Sequence, residues 1–60
     1  MAGFKQRFKV QFQDGTIRTV VAQSHTGAKR AFVAGYQPAK GSWLTVWPMG
    51  DEGNKRRMRV

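Results

Sequence analysis

From Phe4 to Phe12 apolar and charged or polar side chains alternate: Phe4, Phe8, Val10 and Phe12 are interleaved with Lys5, Arg7, Lys9 and Gln11. A period of two is the mark of a β-strand with one apolar face, and here the other face is cationic. Asp14-Gly15 follows, a dipeptide suited to a two-residue hairpin turn, and Thr16 opens a β-branched run to Ala22. With so tight a turn, Phe12 is expected to face Ile17, Val10 to face Thr19 and Phe8 to face Val21 on the apolar side. Lys9 then opposes Val20, and Gln11 opposes Arg18, on the basic side. A bulged turn would shift this register and turn the second strand over.

Gln23 to Gly27 connects the hairpin to a helix, with Ser24 and Thr26 both able to cap its first turn. Ala28, Ala31, Phe32, Gly35 and Tyr36 then recur at helical spacing, a narrow stripe of mostly small residues suited to packing on a sheet. Lys29 and Arg30 make the outer face cationic near its start. Gly27 and these cations could receive a phosphate there, although a glycine at a helix end is ordinarily just part of the cap. Gly35 is expected to close the helix in the left-handed conformation, before Pro38 forbids its continuation.

After the loop Gln37 to Gly41, the run Ser42-Trp43-Leu44-Thr45-Val46-Trp47 reads as a third strand, which Pro48 ends. Leu44 and Val46 share one face, and Trp43 and Trp47 share the other. With Leu44 and Val46 under the helix, both indoles emerge beside Lys5, Arg7, Lys9 and Arg18. The competing arrangement puts Trp43 and Trp47 in the core and leaves Leu44 and Val46 outside or against a second copy. Residues 50–54 gather turn formers, and Lys55 to Val60 is nearly all cationic. This tail reads either as a fourth strand, with Met58 and Val60 inward and Lys55, Arg57 and Arg59 outward, or as a flexible basic arm. Residues 1–60 are therefore expected to form a single α+β domain of order ββαβ or ββαββ. Its sheet is antiparallel-rich and carries the helix on one face.

Composition narrows the function. The 60 residues hold 11 Lys and Arg against 3 Asp and Glu, a net charge of +8, which favours a polyanionic partner. There is no cysteine and one histidine, so no disulfide framework, metal site or cofactor is expected, and nucleophilic catalysis is poorly supplied. His25 reads as a surface residue, and Asp51-Glu52 as a solubilising turn. No apolar run approaches the ~18 residues of a membrane span, nor is there a signal-peptide core, so a cytoplasmic protein without a membrane partner is expected. A chain this short buries only about 60% of its unfolded surface, so its stability is modest or shared with a partner.

The leading expectation is a small nucleic-acid-binding protein, accessory or regulatory, of a phage, mobile element or ribosome-associated kind, and not an enzyme. Cations neutralise phosphates with release of counterions, while flat indoles stack on unpaired bases. The candidate contacts are Lys5, Arg7, Lys9, Gln11, Arg18, Trp43, Trp47, Lys55, Arg57 and Arg59. A two-stranded ribbon in a duplex groove would use Gln11 and Arg18 as base readers, so DNA and RNA both stand open. The alternative from another class is a protein-binding module, a small viral inhibitor or a homo-oligomer, whose Trp face docks on an acidic protein or a second copy. No small-molecule substrate is expected. The aromatic signature of RNA-recognition sheets, a zinc-finger pattern and a GXXG loop are all absent from the sequence.

Overall fold

The computed structural model describes residues 4–60. Strand β1 (Gln6–Phe12) and strand β2 (Ile17–Ala22) form the hairpin, helix α1 (His25–Tyr36) follows, and strands β3 (Trp43–Pro48) and β4 (Arg56–Arg59) complete the order ββαββ. The sheet runs β2-β1-β3-β4, antiparallel at every junction. The C-terminal tail is thus a strand, and Met58 and Val60 pack inward against the core.

That core lies between one sheet face and the helix. Phe8 and Val10 of β1, Leu44 and Val46 of β3, Ala22 of β2, and Ala28 and Phe32 of α1 are all buried. Four of these side chains, Phe8, Val10, Leu44 and Val46, are fully enclosed, and burying each contributes roughly 1.5–3 kcal/mol. Phe12, Phe32 and Tyr36 extend the core as an aromatic cluster with ring centroids 5.0–5.9 Å apart.

The hairpin departs from its expected register. The Phe12 amide donates to the Thr16 carbonyl at 2.7 Å, and the Gly15 amide donates to the Phe12 carbonyl at 2.9 Å. The loop is therefore Gln13-Asp14-Gly15, with Gly15 at φ +96° in the conformation that glycine adopts without strain. One extra loop residue slips the pairing, so Phe8 faces Val20, Lys9 faces Thr19 and Val10 faces Arg18. The slip turns β2 over. Val20 and Ala22 go beneath the helix, whereas Ile17 and Val21, expected in the core, are 50% and 59% exposed.

Asp14 locks this turn. Its carboxylate accepts the Thr16 amide at 2.9 Å and the Tyr36 hydroxyl at 3.3 Å, tying the hairpin to the helix end. The bonds from Thr16, with a smaller contribution from Tyr36, hold its pKa below the ordinary 3.8. A carboxylate depressed in the folded state stabilises above its ordinary pKa, and that stabilisation is lost as pH falls through the lower, folded-state value. The Asp14→Ala variant is therefore expected to lose less stability than the parent between about pH 5 and about pH 2, as read by thermal melts. Parallel loss in both proteins would contradict this role.

Ser24 is the N-cap, its hydroxyl accepting the Gly27 amide at 3.1 Å. At the other end the helix runs past Gly35 and stops at Gln37, which takes the left-handed conformation (φ 55°) and donates its amide to the Val33 carbonyl. Gly35 is thus inside the helix, not its terminator. The longer helix brings Tyr36 onto Phe12 and Phe32. The buried stripe is accordingly Ala28 and Phe32, with Tyr36 half-buried, while Ala31 and Gly35 of the expected stripe are exposed.

Pro48 sits at a position that spares the sheet a lost bond. The Met49 amide donates to the Arg7 carbonyl at 2.9 Å, so the missing N–H of Pro48 faces the β4 side. Pairing with β4 extends only to Val46, so no ladder bond is sacrificed there.

Candidate nucleic-acid interface

Residues directly opposite each other across a ladder share a face, so the registers define what lies on the sheet face away from the helix. Three rows cross it. In the first, Thr19, Lys9 and Trp47 are neighbours; in the second, Ile17, Gln11, Thr45 and Arg57; in the third, Trp43 and Arg59. Both indoles therefore lie on the uncovered face, and Leu44 and Val46 lie beneath the helix.

The indoles are not bare. The Arg59 guanidinium lies 4.2 Å from the Trp43 ring centroid, that of Arg57 lies 5.0 Å away, and the Lys55 ammonium lies 4.7 Å from the Trp47 ring. Each such contact at an exposed site contributes about 0.5–1 kcal/mol, enough to bias a long cationic side chain towards one orientation. Trp43 keeps 37% of its surface exposed, but Trp47 only 7%. With Lys9 opposite and Lys55 above, Trp47 is closed off on its own side of the sheet, as aliphatic stems of lysines commonly do to an apolar surface. One indole is therefore available as a platform rather than both.

Beside Trp43 a cleft of about 260 Å³ opens between the hairpin turn and β3, edged by Gln11, Gln13, Thr45 and Arg57. The Gln13 side-chain oxygen accepts the Trp43 amide at 3.0 Å, which turns its NH₂ group away from that bond as a free donor. Gln13 and Thr45 were not singled out by sequence reasoning. Gln13 falls in the turn, and Thr45 is an ordinary strand residue until the register places it between Gln11 and Arg57.

The other expected contacts divide. Arg7 and Lys9 are on β1, Arg57 and Arg59 on β4, and Lys5 and Lys55 lie just outside their strands, with Lys5 exposed. Arg18 is a correction. It pairs with Val10 on the helix side of the sheet, and its guanidinium lies 5.5 Å from the Tyr36 ring. The same slipped register that exposes Val21 turns Arg18 away from Arg7, Lys9 and Gln11. The three acids stand clear of the strands, Asp14 in the hairpin loop and Asp51-Glu52 between β3 and β4.

His25 differs from its expected surface position. It opens the helix half-buried, with its ring edge-on to Phe8 at 5.3 Å and its Nε2 2.9 Å from the Asn54 carbonyl. A carbonyl can only accept, so Nε2 carries the proton in this bond. The Lys29 ammonium donates to the Arg59 carbonyl at 3.2 Å. Together these bonds tie α1 to the β3–β4 loop and to β4, holding the strand that carries Arg57 and Arg59. At the helix start Ser24 already accepts the Gly27 amide, which argues against a phosphate there.

No family model matches the chain, and neither a curated protein nor a solved structure matches it. Among the described residues, no helix is long and apolar enough to cross a membrane.

Proposed function

We propose that this protein binds nucleic acid through the helix-free face of its sheet. The observation that carries this reading is the cation-on-indole arrangement at the β3–β4 side, where Arg57 and Arg59 lie over Trp43 and Lys55 lies over Trp47, with the acids confined to turns. Guanidinium groups held in this way meet phosphates with less ordering cost than free side chains, because part of their rotamer freedom is already spent. Arg7, Lys9 and Lys5 extend the positive surface along β1.

Base stacking is a second contribution, and its size follows from competition. A base landing on Trp43 must displace a guanidinium contact of about 0.5–1 kcal/mol, whereas a stacked base contributes about 1–3 kcal/mol. The exchange favours the base and releases the arginine towards the adjacent phosphate. Such stacking needs an unpaired base, so single strands suit this surface better than duplex.

Titration of a mixed-sequence single-stranded oligonucleotide, followed by tryptophan fluorescence, tests the reading. Binding should quench the emission and weaken linearly on a log–log plot against salt, by about 0.7 per phosphate contacted. Absence of binding at low salt sinks the proposal.

A further inference from the structure

We infer that the outer edge of β2 pairs with the same edge of a second copy of this chain, about a two-fold axis at Thr19. This does not rest on nucleic-acid binding. Its starting point is which backbone groups of β2 are already used. In an antiparallel ladder, pairs that exchange both N–H···O bonds alternate with pairs that exchange none. The Phe12–Thr16 bond fixes the phase, so Arg18, Val20 and Ala22 direct their N–H and C=O groups towards β1. The Arg7 carbonyl accepts from Met49, on the β3 side, which confirms that phase from the other edge of β1. The N–H and C=O groups of Ile17, Thr19 and Val21 therefore point outward from the sheet, where no strand among the described residues meets them.

An edge left in this state is a template for another strand unless it is guarded by charge, proline or a bulge. The opposite edge is guarded, since β4 reads Arg56-Arg57-Met58-Arg59. β2 reads Ile17-Arg18-Thr19-Val20-Val21-Ala22, with one charge and a run of β-branched residues. Its two exposed apolar side chains, Ile17 and Val21, stand on the same residues as the outward backbone groups.

Self-pairing is favoured by the sequence of the strand itself. With Thr19 opposite the partner's Thr19, Ile17 meets the partner's Val21, and all of the outward N–H and C=O groups find acceptors and donors. Arg18 then lies opposite the partner's Val20, so no like charges are juxtaposed. Moving the axis one step to Arg18 would oppose the two arginines and waste the groups of Val21. A two-fold axis perpendicular to the sheet keeps both helices on one side. A groove of about 190 Å³ beside β2, floored by Phe32 and Tyr36 and bordered by the exposed Ala31 and Gly35, leaves room there for the partner's Arg18.

Sedimentation of the wild-type protein and amide hydrogen exchange test this together. Each copy carries +8, so repulsion weakens the dimer at low salt, and salt should strengthen it while weakening any nucleic-acid binding. In moderate salt the mass should be double the 6.8 kDa of one chain, and the amides of Ile17, Thr19 and Val21 should be as protected as those of Arg18 and Val20. Thr19→Pro removes an outward N–H that the monomer does not use, and Val21→Lys charges an exposed position. Both should return the protein to single-chain mass with an unchanged far-UV spectrum. A wild-type protein that stays at single-chain mass in moderate salt, a dimer that survives both substitutions, or a dimer whose Ile17, Thr19 and Val21 amides exchange freely overturns the inference. A monomer that still binds oligonucleotide overturns it while leaving the proposed function standing.

Discussion

Phe8→Ala is expected to unfold most of the protein at room temperature. Phe8 is 1% exposed, spans the sheet beneath the helix start, and holds the ring of His25 edge-on at 5.3 Å. Truncating a buried phenylalanine costs about 3–5 kcal/mol, from lost transfer energy and the cavity left behind. A chain of this length has a total stability of roughly 3–9 kcal/mol, so one substitution removes much or all of the margin. The loss should show in urea melts followed by circular dichroism. A decrease below about 1 kcal/mol would mean that the helix does not close over β1 as described.

Removing charge at the proposed interface should leave the fold and take away the partner. Lys55, Arg57 and Arg59 are all exposed, and their side chains meet the indoles from outside the core, so the triple change to Gln should cost little stability. For a single strand, each lost phosphate contact lowers the salt slope by about 0.7, so the triple variant should show a slope shallower by about 2 and much weaker binding at low salt. Trp43→Ala separates the two contributions. It should weaken binding to single strands while leaving the salt slope nearly unchanged. A triple variant with wild-type affinity and slope would move the interaction away from β4.

Much of this architecture is legible in the residues. β1 declares both its faces, because phenylalanine and valine alternate with cations without interruption, and β3 does the same through Leu44 and Val46 against the tryptophans. β4 is marked only by Met58 and Val60 at alternate positions, yet that sufficed, since a strand at the sheet margin needs one apolar row to bind it. β2 is different. Its apolar residues at Ile17 and at Val20 to Ala22 satisfy either facing, and Asp14-Gly15 serves both a two-residue turn and a three-residue turn with glycine at the bulge. The facing of Arg18 therefore hung on a single loop residue that hydrophobic patterning does not encode. The helix end was obscured for a related reason: Gln37 adopts a backbone conformation usually left to glycine, while Gly35 is an ordinary helical residue. The closure of Trp47 could not be read from periodicity either, because it depends on lysine stems from two neighbouring segments.

The central claim, that the face opposite the helix is the one that meets nucleic acid, is tested most directly by mapping amide and indole N–H chemical shifts during titration with a single-stranded oligonucleotide. The account predicts that shifts concentrate at Arg7, Lys9, Gln11, Trp43, Thr45, Arg57 and Arg59, with the Trp43 indole N–H among the largest, while Arg30 and Ala34 on the outer side of the helix stay still. Shifts clustered on the helix, with the β1, β3 and β4 residues unmoved, would contradict it.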